Sequence, residues 1–251
     1  MRRSLPTLQR LTLMKAFRTL LLLLLTCALP ATAQVGEYRN QLALGFNAGL
    51  AMNTVGFDPR VNQQQLLGPH FGVTFRYTSE RYFKTFCAIQ LELNYARLGW
   101  NEDILDSNSQ PLPDTYKRLQ DWLQLPMLAR LGWGKEKKGL MFYFLAGPQI
   151  GYCLGEKTQR SETWTTDIVG NPDRPNGMYA QYDMPIENRF EYGITAGLGT
   201  ELNTKLGHFL VEGRYYYGLS DLFGNSKKDV FGRSNNNTIY IKFSYLFDVR
   251  K

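Results

Sequence analysis

The sequence contains little of what metal and redox sites require. Only three of its 251 residues are cysteine and two are histidine. Cys27 lies in an apolar run near the N-terminus, and Cys87 and Cys153 match no metal-binding or redox spacing. After residue 33, no apolar run approaches the roughly 20 residues that a membrane-spanning helix needs. No glycine-rich motif precedes a helix either, so we expect no metal, no cofactor and no transmembrane helix.

The first 33 residues have the composition of a secretory signal peptide. An apolar run over 19–29 follows a basic leader without acidic residues and precedes the small-residue site Ala31-Thr32-Ala33. The leader contains Arg2, Arg3, Arg10, Lys15 and Arg18, and Met14 is an alternative start. A membrane anchor would need a longer apolar run. We therefore expect export through the general secretory route and cleavage between Ala33 and Gln34, which leaves 34–251 as the mature domain.

The positive charge of the chain lies mainly in that leader. The formal net charge is +7, and five of these charges belong to residues 1–33, so the mature domain carries +2. It contains no basic tract that would indicate nucleic-acid binding. We expect no nucleic-acid partner.

Apolar residues alternate with small or polar residues throughout the mature chain. This two-residue period is typical of β-strands whose two faces differ. Most of the alternating segments reach the roughly 9–11 residues that a tilted membrane strand requires. We predict eight strands, at about 42–51, 70–77, 87–96, 123–131, 142–152, 190–199, 209–219 and 239–247.

The predicted connections alternate between long and short. They cover roughly 52–69, 78–84, 100–118, 134–139, 155–188, 203–207 and 220–237. Bacterial outer-membrane barrels have short periplasmic turns and longer outer loops. If the N-terminus lies in the periplasm, all four long connections are extracellular.

The two faces of the strands distinguish a membrane barrel from a soluble one. A soluble lipocalin-like barrel would carry many charged residues on its outer face. Here one face is rich in Leu, Ile, Phe and Tyr, as lipid requires, and the other in Gly, Ala, Thr, Asn and Gln, which suit a narrow lumen. Aromatic residues near the strand ends predict an interfacial girdle of Tyr82, Phe83, Trp100, Trp122 and Trp133. We predict an all-β fold, a single antiparallel up-and-down transmembrane β-barrel in the outer membrane.

The predicted lumen face carries equal numbers of cations and anions. The cations are Arg76, Arg130, Arg214 and Lys242, and the anions are Glu92, Glu191, Glu201 and Glu212. Eight strands enclose a lumen only wide enough for side chains to fill. Because unpaired charges in that space would be costly to desolvate, we predict an internal charge network that plugs the barrel.

Two details of strand pairing follow from the predicted order. Pro126 and Pro148 fall inside strands, where proline is tolerated mainly at bulges, so we expect one shared bulge with Pro126 opposite Gly147. Cys87 and Cys153 lie on strands separated by a third strand, roughly 10 Å apart laterally. A disulfide needs a closer approach, so both cysteines should be free.

Four strand segments carry motifs of a known family. They are WLQLPMLAR at 122–130, FLAGPQIGY at 144–152, YGITAGLG at 192–199 and RYYYGLSD at 214–221. In this order they resemble the PorT-like outer-membrane β-barrel proteins of Bacteroidetes, over most of the mature chain. The resemblance implies an outer-membrane barrel. Since the namesake of the family is linked to a gliding and protein-secretion system, a part in an export assembly is one of the roles it implies.

Three functional hypotheses are compatible with these observations. Long loops bearing Trp164, Tyr179 and Tyr182 suit binding of a protein or glycan at the surface. A purely structural barrel is the second hypothesis, and a lipid A-modifying enzyme is the third. Such an enzyme needs a base and a nucleophile, but His208 lies at the predicted periplasmic end of its strand, away from outer-leaflet lipid. His70 lies at the outer end of its strand, with no Ser or Asp at a telling spacing. We favour a non-catalytic interaction or assembly component that faces the surface or the periplasm and contacts outer-membrane lipid.

Overall fold

The part of the chain that can be described excludes most of the N-terminal region. The computed structural model describes residues 36–105, 110–162, 166, 169, 178–182 and 184–250, the last without its side chain. The predicted signal peptide with Ala33 and Gln34, and also Trp164, lie outside these residues. Tyr38–Lys251 forms one compact unit, and the other unit, Met1–Glu37, falls almost wholly outside the described residues. No helix in the described part is long and apolar enough to span a bilayer.

Nine strands account for the described secondary structure. They are β1 (Glu37–Asp58), β2 (Gln63–Gln64), β3 (Leu66–Tyr82), β4 (Thr85–Glu102), β5 (Tyr116–Gly134), β6 (Gly139–Arg160), β7 (Phe190–Asn203), β8 (His208–Gly218) and β9 (Arg233–Arg250). The eight long strands are those predicted from the alternation, and β2 is a two-residue addition that pairs with β4.

The eight long strands form a closed antiparallel ring. Each is paired with its neighbours in chain order, from β1 through β3 to β9. The ring closes between the first and last strands, where Phe46 lies opposite Tyr245 and Met52 opposite Ile239. Closure gives every long strand a partner on both sides within the ring, as main-chain groups in hydrocarbon require.

All long connections lie at one end of the ring and all short turns at the other. The loop end holds the connections over 59–65, 103–115, 161–189 and 219–232. The turn end holds 83–84, 135–138 and 204–207. The predicted long connections were too long, because the strands continue past the predicted boundaries to lengths of up to 22 residues. Such strands exceed what a bilayer crossing needs, so their loop ends project beyond it.

The outward and inward faces are those predicted from the alternation. Outward residues of β1 and β9, such as Phe46 and Phe243, are 66% and 63% exposed. Their inward neighbours Asn47 and Lys242 are 4% and 0% exposed. The ring is therefore apolar on the outside and polar within, as a lipid-embedded barrel requires.

The predicted aromatic girdle is correct only at the turn end. Phe83 and Trp133 are 82% and 43% exposed there. Trp100 and Trp122 are fully buried inside the ring and were wrongly assigned to the lipid interface. Both lie on the inward parity of their strands, where they pack against other apolar side chains.

The pairing details differ in one respect from those expected. Pro126 lies opposite Gln149, two residues from the predicted partner Gly147. The ladder between β5 and β6 is interrupted directly beyond this pair, which places the prolines at a local irregularity, since proline cannot donate to a ladder. Cys87 and Cys153 are both free.

Candidate functional site

The inside of the ring changes from polar to apolar towards the loop end. Along β1, the inward residues Asn47 and Asn53 are followed by Val55 and Phe57, all of them buried. Along β4, buried Glu92 is followed in the same way by Leu98 and Trp100. The lumen therefore contains charged layers in its membrane part and an apolar core above them.

The first charged cluster lies in the middle of the lumen. The Arg214 guanidinium donates to both oxygens of Glu92, at 2.9 and 2.7 Å, and also to Glu212 Oε2. Lys242 Nζ lies 2.8 Å from Glu92 Oε2 and 3.4 Å from Glu212 Oε2. Tyr143 donates its hydroxyl to Glu212 at 2.7 Å. Two cations and two anions from β4, β8 and β9 thus meet in one place.

The second charged cluster lies nearer the turn end. Arg76 donates to both oxygens of Glu201 at 2.9 and 2.8 Å, and Arg130 also donates to Glu201. The Arg130 guanidinium stacks over the Tyr143 ring, 3.7 Å from its centroid, which joins this cluster to the first. One carboxylate here faces two guanidinium groups.

His208 bridges the second cluster to the turn-end mouth. Its Nδ1 lies 2.8 Å from Glu201 Oε1, and its Nε2 lies 2.9 Å from Asp248 Oδ1. Sequence reasoning missed this contact, because Asp248 follows the last predicted strand and its register with β8 was unknown.

Glu191 is the one predicted lumen charge that lies apart from both clusters. Its Oε2 accepts a hydrogen bond of 2.8 Å from Asn236. Among the described residues, no cation lies within ion-pair distance of it. The equal count of charges was therefore a poor guide to pairing, because Glu201 faces two arginines while Glu191 faces amides.

Amide and hydroxyl side chains fill the space between the charges. Asn47 donates to Thr74 and Asn94, both at 2.9 Å, and Tyr240 donates to Gln124 at 3.0 Å. The Asn47 contacts join β1 to β3 and β4, the next two strands of the ring, whereas the Tyr240 contact crosses the bore from β9 to β5. Polar side chains thus link both neighbouring and opposite strands inside the ring.

Aromatic and aliphatic side chains form an apolar core inside the ring at the loop end, and we call this core the cap. Its centre is Phe57, whose ring centroid lies 5.2 Å from Trp100, 5.0 Å from Phe231 and 6.4 Å from Phe223. Phe223 and Phe231 belong to the loop over 219–232, which folds back into the ring. The cap was not predicted, although Val55 and Phe57 continue the inward parity of β1 with apolar residues.

The long loop over 161–189 is tied to the cap by polar contacts. Glu102 accepts hydrogen bonds from Gln181 at 3.0 Å and from Tyr182 at 2.7 Å. Arg118 donates to the Met184 carbonyl at 2.7 Å. Tyr179, in contrast, is 42% exposed on the same loop. The described part of this loop therefore has a defined position with side chains left free at its surface.

The two histidines have different surroundings. His70 is buried against the Tyr240 ring, with centroids 4.8 Å apart. The contacts of His208 are to carboxylates and to Asn203. Within the described residues, no hydrogen bond joins either ring to a serine, and no group of three His, Cys, Asp or Glu side chains could hold a metal ion.

A closed antiparallel ring with an apolar exterior and a charged interior defines the class of outer-membrane β-barrel proteins. The family model described as outer membrane protein beta-barrel domain matches residues 32–224, and the chain belongs to this family. The protein is located in the outer membrane.

Solved outer-membrane proteins resemble the chain at low sequence identity. Neisserial surface protein A is 10% identical with a TM-score of 0.40, over 82% of this chain and 97% of its own. Ail of Yersinia pestis, solved with the heparin analogue sucrose octasulfate, is 13% identical with a TM-score of 0.35, over 84% and 99%. OprG of Pseudomonas aeruginosa is 13% identical with a TM-score of 0.37, over 84% and 98%. Among curated proteins, no sequence is significantly similar.

Proposed function

We propose that this protein is a plugged, non-catalytic outer-membrane barrel that acts through the surface of its loop end, as an interaction or assembly component. The observation that carries this proposal is the layered interior. Two charged clusters and an aromatic cap lie in series along the lumen. A porin would instead have more strands and a water-filled bore.

The loop end is the part of the molecule best suited to recognition. Its loops are anchored from below by Phe223, Gln181 and Tyr182, so their exposed residues are positioned before a partner arrives. Such preorganisation reduces the entropy lost on binding. Tyr179 and Val230 offer exposed apolar surface there. Such a surface suits a protein or a glycan partner.

The proposal includes export and orientation. A signal peptide over 1–33 directs the chain to the secretory route, and the loop end faces the outside because outer-membrane barrels place their longer loops there. The motifs at 122–130 and 144–152, which lie on β5 and β6, support placing the chain among the PorT-like barrels of Bacteroidetes.

Orientation is tested by labelling single cysteines on intact cells. In a Cys87→Ala/Cys153→Ala background, Lys228→Cys reports on the loop end and Lys137→Cys on the turn end. A membrane-impermeant maleimide should label the first and spare the second until the cells are broken. The reverse pattern would mean that the loop end faces the periplasm.

Recognition is tested by photo-crosslinking in living cells. A photoreactive amino acid at Tyr179 or Val230 should give a discrete adduct, and the same residue at the outward-facing Phe243 in the middle of β9 serves as the control. Adducts confined to the loop positions support an interaction component. If none of the three positions gives an adduct, the purely structural barrel is the better account.

A further inference from the structure

The outward face of β4, β5 and β6 carries positive charge just beyond the apolar belt. Arg97 lies opposite Asp121 in the ladder, Asn101 lies opposite Lys117, and Leu119 lies opposite Lys157. We call Arg97, Lys117 and Lys157, with the adjoining amides Asn101 and Gln159, the cationic patch.

The side chains of the patch point away from the lumen. Tyr116, Arg118 and Gln120 are buried on the inward side of β5, so the alternating Lys117 faces outward. On β6, Glu156 reaches inward to Arg118 at 2.5 Å, so its neighbour Lys157 faces outward as well. Lys157 is exposed and Lys117 is half-buried.

The boundary of the lipid belt falls directly below the patch. Leu93 on β4 and Leu123 on β5 are outward and 46% and 39% exposed. The next outward level carries Arg97 and Asp121, which pair at 2.8 Å with about 40% of each side chain exposed. Because an exposed ion pair on the lipid face is costly within hydrocarbon, this level marks the headgroup region.

The patch has an excess of positive charge. Asp121 is paired with Arg97 and also accepts a hydrogen bond from Tyr95. No carboxylate among the described residues lies within ion-pair distance of Lys117 or Lys157. Diagonal neighbours on adjacent strands have Cβ atoms roughly 7–8 Å apart, so the two lysines repel each other unless an anion lies between them.

The excess of positive charge lies on one side of the ring. On β1, β7, β8 and β9 the outward residues Thr54, Tyr192, Tyr217 and Asn237 are uncharged, and the outward residues Asp58 and Arg233 at the loop ends of β1 and β9 lie opposite each other with opposite charges. A general attraction to headgroups would not need this asymmetry. The arrangement is that of a localised binding surface.

We infer that the cationic patch binds the headgroup of a phosphorylated glycolipid of the outer leaflet, whose acyl chains lie along the leucines below. Lysine is a common phosphate ligand, and Arg97 adds a guanidinium. Asn101 and Gln159 flank Lys117 in the ladder and offer amides to sugar hydroxyls. The inference depends on the proposed orientation, because only an outward-facing loop end meets this leaflet.

Native mass spectrometry of the purified protein tests the inference. The probe is bis-phosphorylated hexa-acyl lipid A, compared with its dephosphorylated form and with phosphatidylglycerol. Wild-type protein should retain one lipid A, and Lys117→Gln/Lys157→Gln should lower the retained fraction at least tenfold. The variant Lys117→Arg/Lys157→Arg, which keeps both positive charges, should still retain lipid A. Lys137→Gln/Lys138→Gln, at the turn end, is the matched control and should behave as wild type.

Three results would overturn the inference. If the patch variant and the control variant lost lipid A to the same extent, the cationic patch would not be the binding site. Equal retention of phosphatidylglycerol and lipid A would reduce the patch to a general anionic surface. Displacement of bound lipid A by millimolar inorganic pyrophosphate would assign the patch to a soluble phosphate. Binding is measured in detergent and is independent of orientation, so the labelling of Lys228→Cys separately reports failure of the proposed orientation.

Discussion

Lys242 Nζ lies 2.8 Å from Glu92 Oε2 in the middle of the lumen, and neither side chain has any exposed surface. Two buried charges of this kind stabilise each other only as a pair, because each has lost its hydration. Arg214 and Glu212 complete the cluster, so its net charge is zero.

This pairing predicts a non-additive pair of substitutions. Lys242→Met leaves Glu92 and Glu212 to share Arg214, and Glu92→Gln leaves an excess cation. Each change should lower the free energy of unfolding by about 3–5 kcal/mol. The double variant keeps the neutral Arg214–Glu212 pair, so its loss should fall short of the sum by about 0.5–3 kcal/mol. Urea unfolding in lipid vesicles, followed by tryptophan fluorescence, measures this, and strict additivity would contradict the pairing.

Two other lumen glutamates should differ in their importance. Glu201→Gln leaves the buried guanidinium groups of Arg76 and Arg130 without their carboxylate. This change should lower the free energy of unfolding by about 3–5 kcal/mol. Glu191→Gln removes a carboxylate that contacts an amide and should change stability by about 1 kcal/mol or less. The same unfolding measurement compares the two isosteric variants. Equal losses would mean that Glu191 has a cationic partner of its own.

Loss of packing in the cap should leave the barrel folded. Phe223 is fully buried in the cap, and its replacement by alanine should cost about 3–5 kcal/mol of local packing. We expect faster protease cleavage within the loops while the heat-modifiable shift of the barrel on gels is retained. Val230→Ala, at a position that is 48% exposed on the same loop, is the control. Loss of the heat-modifiable shift in the Phe223 variant would make the cap part of the barrel core.

The sequence was sufficient to predict the strands and their two faces. The two-residue period indicates both that a segment is a strand and which of its residues share a face. The assignment of faces is unambiguous because a register shift of one residue would put Lys242 or Glu92 in lipid. Strand ends could not be predicted, because beyond the bilayer the inward side becomes apolar and the outward side polar. Trp100 and Trp122 were misassigned at this inversion.

The sequence was sufficient to predict which charged residues face the lumen, but not which of them pair with each other. Parity places Arg76, Arg130 and Glu201 inside, but their height depends on the register between strands. That register is set by bulges, such as those at Leu42/Ala43 and Thr78/Glu80, which alternation alone does not reveal.

Export is open to a direct chemical test. Mass spectrometry of the protein from outer membranes should find Gln34, free or cyclised, as the first residue. The reason is that Ala31-Thr32-Ala33 offers the small side chains that a signal peptidase site requires. Recovery of peptides from 20–30 in the mature protein would contradict the signal peptide.

In the proposed plugged barrel, side chains close the lumen, and the expected consequence is the absence of conductance. Arg130 and Glu212 belong to adjoining clusters that span the bore, and the cap lies above them. No continuous water path should then carry ions through the protein.

Planar-bilayer recording of the purified, heat-modifiable protein measures this consequence directly. We predict no stable single-channel steps for the wild type. Reproducible unitary steps that disappear in Arg130→Ala or Glu212→Ala would contradict the closed lumen and make this protein a small channel.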